Sequence, residues 1–284
     1  MAIKKIGVIG CGLMGSGIAE VCARSGYDVV VSEINQKFLD KGLASINASL
    51  TRAADKGKIN TQDKDAALSR IAGVVGLESL NDRDLVIEVV IENMEEKKRV
   101  FSTLDKVCPP HAILASNTSC LSVTQMAVVT KRPDKVLGMH FFNPVPVMKP
   151  VEIVTTILTS EETLNTARAV SKTLGKEVVV AKDTPGFIVN RLLIPYLLDA
   201  IRLYESGVAT REDLDAAMTL GLNHPMGPLT LSDFVGLDTL LFIADAMYEE
   251  FKNPAFAAPP LLRKMILAGW LGRKSGRGFY EHKK

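Results

Sequence analysis

A doubly wound α/β sheet followed by an all-α domain is the architecture that three features of this sequence predict. A glycine pattern, Gly10-Cys11-Gly12-Leu13-Met14-Gly15, follows the apolar run Ile6–Ile9 and opens a helix-like stretch, Met14 to Ser25. Strand-like and helix-like segments then alternate up to residue 183, the pattern of a sheet covered by crossover helices. Beyond Asp183-Thr184-Pro185-Gly186 the β pattern stops and only helix-like segments remain. The expected domains are therefore 1–184 and 185–284, in line with the 284-residue length.

The opening segment carries the first chemistry. A glycine loop between strand and helix is the phosphate-binding turn of a Rossmann-type βαβ unit. Gly10 permits the tight turn, Gly12 lets backbone approach a diphosphate, and Gly15 lets helix pack on strand. Leu13 and Met14 lie in the same turn, where N–H groups at the positive helix end attract an anion. The next strand, Asp28 to Ser32, is followed by Glu33. A carboxylate there suits the ribose hydroxyls of an adenosine and repels a 2′-phosphate, which selects NAD over NADP; Lys37 nearby tempers that selection.

A polar, helix-favouring stretch, Gln36 to Arg70, is too long for an ordinary connection and predicts a projecting helical pair around Lys56-Gly57-Lys58. Residue types alone read it as a solvated charged surface. Further strands are expected at Leu85–Val90, Ala112–Ala115, Lys135–Phe142, Val151–Thr155 and Glu177–Ala181, with a helix at Met94–Val107. Ser160 before Glu161 and Glu162 predicts a capped helix start, and Gly175 its end. In the second domain Phe187–Ser206 reads as an apolar helix kinked at Pro195. Thr210–Asp213 opens another helix, Leu229–Phe251 gives one or two around Gly236, and Leu261–Leu271 gives the last. These helices are apolar over more of their surface than a lone domain needs, which predicts a homodimer through this domain.

Composition narrows the partners. The net charge of +2 gives no general attraction to nucleic acid or membrane, and no uncharged apolar stretch reaches spanning length. Cys11, Cys22, Cys108 and Cys120 have no metal-binding spacing and read as reduced, buried thiols, so no metal is expected. The first strand begins almost at once, leaving no room for a leader, and the expected location is the cytoplasm.

An enzyme that oxidises an alcohol with a nicotinamide needs a base for the hydroxyl proton, and imidazole suits that task. Of four histidines, His282 in the tail and His111 in a connection are expected to face solvent, and His224 sits in a loop before Pro225. His140 stands near the end of a strand, where open α/β sheets place ligands. Glu152 follows in an otherwise apolar strand after the Pro-rich link Asn143–Pro150, which sets the two side by side as a His–carboxylate dyad. Ser116-Asn117-Thr118-Ser119 ends another strand and points its side chains, Asn117 and Ser119 among them, toward the cofactor crevice. Asn190 opens the second domain's first helix. Ser119 and Asn190 read equally as helix caps or as donors to a carbonyl becoming an oxyanion.

Together the strings Gly10–Ala19, Ser116–Ser119, His140–Glu152, Asp183–Leu193, Pro225–Pro228 and Gly272–Tyr280 resemble the L-3-hydroxyacyl-CoA dehydrogenase family, closest to its stand-alone bacterial 3-hydroxybutyryl-CoA dehydrogenases. The resemblance covers essentially the whole chain. It implies that His140 is the general acid/base, Glu152 its orienter, and Ser119 and Asn190 the groups that hold the substrate's 3-oxygen or thioester side. It further implies cofactor contacts at Glu33, Glu92, Lys97, Ser119, Asn143 and Lys274, and coenzyme A contacts at Ser49, Lys56 and Ser119. The helical pair would then turn positive charge toward the ligand's phosphates, and substrate would lie between the domains. The implied reaction is the reversible oxidation of (S)-3-hydroxyacyl-CoA by NAD, with an acyl-CoA as the small-molecule partner.

Two rivals remain. Short 3-hydroxyacid dehydrogenases have a lysine four residues before an asparagine, but Gly186 holds that place before Asn190. A catalytically silent dinucleotide-binding protein of the lambda-crystallin type would not need the dyad, Ser119 and Asn190 that this chain carries.

Overall fold

The structure, a computed structural model, describes residues 3–283. Its contacts divide the chain into two compact units that meet in sequence at Thr184 and Pro185.

The first unit is built on one eight-stranded sheet. In chain order its elements are β1 (Lys5–Ile9), α1 (Leu13–Arg24), β2 (Asp28–Glu33), α2 (Gln36–Asp55), α3 (Thr61–Ser69), β3 (Ile71–Val75) and β4 (Leu85–Glu88). They continue with α4 (Met94–Val107), β5 (Ile113–Ser116), α5 (Val123–Ala127), β6 (Val136–Phe141), β7 (Pro150–Thr155), α6 (Glu161–Thr173) and β8 (Glu177–Lys182). The strand order is β3-β2-β1-β4-β5-β6-β7-β8. From β3 to β6 neighbours are parallel; β7 runs antiparallel to β6, and β8 parallel to β7. The order therefore reverses between β1 and β4, the place where such sheets open a crevice at their carboxyl ends. The continuous apolar runs of β4, β5 and β6 fit their complete burial.

One strand has no counterpart in the sequence reading. Ile71–Val75 forms the edge strand β3, and its half-exposed side chains give neither an apolar run nor a clean alternation. Gly73 lets Leu43 and Leu39 of α2 close down on this strand, since a Cβ there would lie 2.9 and 3.0 Å from their terminal methyls. The expected helical pair is α2 and α3, and both pack against α1. Asn35 caps α2 by accepting the N–H of Phe38, and Asn60 caps α3 by accepting that of Asp63. Ser160 caps α6 through the N–H of Thr163, and the chain leaves that helix through Gly175 at φ +70°.

The second unit consists of α7 (Val189–Glu205), α8 (Arg211–Gly221), α9 (Pro228–Val235), α10 (Leu237–Phe251) and α11 (Pro260–Leu267), with short bridges in the tail. Pro195 lies inside α7, which continues through it. Gly236, at φ +98°, separates α9 from α10. Two buried carboxylates organise this unit. Asp215 of α8 accepts the N–H groups of Leu229 (2.8 Å) and Thr230 (3.0 Å), capping α9 from outside its own chain segment. Asp233 of α9 accepts those of Phe279 and Tyr280, each at 2.9 Å. Gly227 and Gly278 let backbone approach these acids, since a Cβ would fall 2.3 Å from Asp215 and 1.9 Å from Asp233. The motifs Pro225–Pro228 and Gly272–Tyr280 thus hold this unit together. Among the described residues, no helix is long and apolar enough to cross a membrane.

Candidate active site

The glycine turn joins β1 to α1. Gly10 has φ +93°, a left-handed conformation, and a Cβ on Gly15 would lie 1.8 Å from the carbonyl oxygen of Gly10. Gly12 differs, because a Cβ there would meet nothing within 4 Å. Gly12 is also the N-cap of α1 and supplies no side chain to the first N–H groups. The protein leaves this helix end uncapped and uncovered, as a site for a diphosphate requires. Leu13 beside it is 74% exposed and Met14 is half-buried.

Glu33, at the end of β2, reaches this turn. Its Oε1 accepts the N–H of Cys11 at 2.7 Å and its Oε2 that of Ile34 at 3.0 Å. The carboxylate is thereby fixed beside the loop, where a ribose would be met. Cys11 lies under the helical pair, and a Cβ on Gly42 of α2 would come within 2.3 Å of its Sγ. Burial, with the Glu33 charge adding to it, pushes the Cys11 thiol up to about 12. On the same helix Ser49 is half-buried and Lys56, the C-cap of α2, is exposed. Their spacing of two turns puts them on one face.

At the far side of the sheet's carboxyl end the antiparallel register sets His140 of β6 directly opposite Glu152 of β7. Nδ1 of His140 lies 2.7 Å from Oε2 of Glu152, with the imidazole 5% and the glutamate 0% exposed. A carboxylate can only accept, so Nδ1 carries the hydrogen and Nε2 presents its lone pair. The hydroxyl of Ser119 lies 3.2 Å from Nε2 and donates to it. The link between β6 and β7 is pinned by buried Lys176, which donates to the carbonyls of Val145 (2.5 Å) and Met148 (2.7 Å). Burial, with Lys149 and Arg24 adding to it, pulls this lysine below its ordinary range. Asn143, in that link, is exposed.

The turn after β5 is held from several directions. The amide oxygen of Asn117 accepts the N–H of Phe141 at 2.9 Å, tying the turn to the residue after His140. Glu92 Oε1 accepts the N–H of Ser119 at 2.9 Å and the hydroxyl of Thr118. Lys97, expected at the cofactor, is 1% exposed, and its ammonium lies 2.7 Å from Glu88 and 3.2 Å from Glu92. Its charge is engaged by these two carboxylates. Ser116, expected to point into the crevice, is instead buried and donates to Glu88 at 2.6 Å; Glu88 belongs to the same network and was not singled out in the sequence. The signal was a charged residue ending the apolar run Leu85–Ile87.

The remaining expected residues lie in the second unit. Asn190 is half-buried at the start of α7, and Lys274 is paired with Asp238. Two expectations for the other histidines need correction. His282 does not simply face solvent, because its Nε2 lies 2.8 Å from buried Asp233. His111 is half-exposed and sits 3.2 Å from Asp84, whose carboxyl is held below its ordinary range against the cost of burial by the N–H groups of Lys4 and Lys5 and by this ring. All four cysteines are free and buried.

Two family models match the chain: the NAD binding domain of 3-hydroxyacyl-CoA dehydrogenase over residues 5–184, and the C-terminal domain of 3-hydroxyacyl-CoA dehydrogenase over 186–282. The 3-hydroxybutyryl-CoA dehydrogenase of Mycobacterium tuberculosis is 52% identical over 283 residues, which cover 99% of each chain. That of Clostridioides difficile is 48% identical over 280 residues, 99% of this chain and 100% of its own. Among solved structures, the (S)-3-hydroxybutyryl-CoA dehydrogenase PaaH1 of Ralstonia eutropha superposes with a TM-score of 0.96 at 43% identity, covering 100% of both chains.

Proposed function

The chain belongs to the 3-hydroxyacyl-CoA dehydrogenase family, and we infer from that membership and its site that it catalyses the reversible oxidation of (S)-3-hydroxybutyryl-CoA to acetoacetyl-CoA with NAD. The observation that carries this reading is the array Ser119–His140–Glu152, its dyad buried and its serine half-buried, at the carboxyl end of a dinucleotide-binding sheet. Nicotinamide, when bound, supplies the hydride acceptor in oxidation and the hydride donor in reduction. Gly10, Gly12, Leu13, Met14 and Gly15 would hold the diphosphate and Glu33 the adenosine ribose, and Glu92, Lys97, Asn117, Ser119, Asn143 and Lys274 would complete the cofactor's contacts.

His140 does the proton work. In oxidation Nε2 takes the proton of the 3-hydroxyl; in reduction the imidazolium returns it to the forming alkoxide. Glu152 keeps the ring in the tautomer that leaves Nε2 available and offsets the positive charge once Nε2 is protonated. Ser119 and Asn190 supply hydrogen bonds to the substrate's oxygens. Ser49 and Lys56 meet coenzyme A, the lysine opposite its phosphates. Residues 1–184 thus supply most of the cofactor's contacts together with the acid/base array, and residues 185–284 add Asn190, Lys274 and the surface for self-association. Leu192, Leu220 and Leu267 are 72%, 85% and 87% exposed, an apolar surface that supports a homodimer. The proposed location is the cytoplasm.

The test is the initial rate of NADH oxidation on adding acetoacetyl-CoA, repeated with NADPH. We expect turnover with NADH and a much lower rate with NADPH, because Glu33 repels the 2′-phosphate. NADH that binds without being oxidised would return the chain to a non-catalytic role. Light scattering that gives the mass of a single chain would contradict the homodimer.

A further inference from the structure

Glu88 ends β4 and is 0% exposed, yet the reaction described above gives it no part. A buried carboxylate is costly unless donors surround it. Three do: Oε1 accepts from the N–H of Val90 and from Lys97 Nζ, each at 2.7 Å, and Oε2 from the Ser116 hydroxyl at 2.6 Å. Two arms run outward from this anchor and end on one turn. Along the first, Ser116 Oγ accepts the N–H of Thr118 at 3.2 Å. Along the second, Lys97 continues to Glu92 Oε2 at 3.2 Å, and Glu92 Oε1 accepts the N–H of Ser119. The Ser119 hydroxyl then sits 3.2 Å from Nε2 of His140.

We propose that Glu88 is a positioning residue for the reaction, holding the Thr118–Ser119 turn through Ser116 and through Lys97–Glu92 so that the serine hydroxyl is aimed at His140. This rests on reading Ser119–His140–Glu152 as the acid/base array. A single ammonium between two carboxylates keeps Oε2 of Glu92 occupied and leaves Oε1 to the turn. An apolar side chain at 88 would suit its neighbours Leu85, Val86 and Ile87 but would strip the acceptor from three donors, two of them buried. The charge at this position therefore serves geometry at a distance, since Lys97, Glu92 and Ser119 stand between Glu88 and Nε2 of His140 along the second arm.

The experiment measures kcat, KM for acetoacetyl-CoA and Kd for NADH in Glu88→Gln and Ser116→Ala, each alone and combined with Ser119→Ala. Glutamine keeps the size and one acceptor but removes the charge. We expect kcat to fall about 10- to 100-fold in E88Q, the scale of a small misplacement in an active site. In S116A, where one hydrogen bond is lost, it falls about 3- to 10-fold. Kd for NADH stays within about twofold in both. Neither substitution slows S119A further, because both act through that serine. If E88Q slows S119A by the factor by which it slows the wild type, its role is merely structural and the proposal is overturned. Wild-type kcat in either variant overturns it too, and S116A decides alone should E88Q not fold. A wild-type chain that fails to oxidise NADH with acetoacetyl-CoA is a different result, the failure of the functional reading itself.

Discussion

Among the described residues a histidine meets a fully buried carboxylate twice, once in each unit, and the two pairs are built for different ends. His140–Glu152 and His282–Asp233 have similar lengths, 2.7 and 2.8 Å, and in both the carboxylate is 0% exposed. What separates them is the rest of each group's surroundings. The ring of His140 has its second nitrogen against a serine hydroxyl, at the carboxyl end of β6. Asp233 spends its remaining capacity on the N–H groups of Phe279 and Tyr280, so that pair fastens the tail to α9. A histidine–carboxylate contact is thus a statement about chemistry only when the far nitrogen faces something that can exchange a proton.

The comparison breaks if the two histidines respond alike to substitution. In His140→Gln we expect kcat for acetoacetyl-CoA reduction to fall between about 10²- and 10⁴-fold, the usual contribution of a general acid/base. Its NADH affinity, measured by fluorescence titration, should remain near that of the wild type. Glu152→Gln should cost about 10²-fold in kcat, because the ring keeps its place but loses the charge that offsets imidazolium. His282→Ala should show the opposite pattern. Its stability, read by urea denaturation, should drop by about 1–3 kcal/mol, the cost of a lost hydrogen bond to a buried carboxylate, while kcat stays within about twofold.

Tyr280→Phe sharpens the structural side with the smallest effect. The Tyr280 hydroxyl donates to Asp215 at 3.0 Å, and its removal should cost about 0.5–1.5 kcal/mol with kcat unchanged. Burial and the nearby Asp215 charge raise the Tyr280 pKa well above its ordinary value. A raised folded-state value stabilises below the unfolded pKa of about 10 and is lost as pH climbs through the folded value. The gap between wild type and Y280F should therefore narrow in alkaline urea titrations.

The same contrast explains what the sequence disclosed. The glycine turn, β4 to β8 and the His140–Glu152 pair were legible because each depends on neighbours in the chain or on a short link between adjacent strands. The edge strand β3 was not, since its exposed residues leave no periodic trace. His282 looked like a tail residue because its partner Asp233 lies far back in the sequence, and only folding brings them together. Glu88 was hidden for a related reason: a charged side chain at the end of an apolar run looks like the solvated end of a strand until its donors are seen. Gly227 and Gly278 could be recognised as parts of motifs, but their purpose, clearance for Asp215 and Asp233, is a matter of packing.

The account turns on Nε2 of His140 as the atom that exchanges a proton with the substrate. A crystal structure of the chain with NAD and acetoacetyl-CoA reads this most directly. We predict Nε2 within about 3.2 Å of the 3-oxygen, hydrogen-bond distance, with Nδ1 still on Glu152. A 3-oxygen held by other groups, out of hydrogen-bond reach of Nε2, would contradict it.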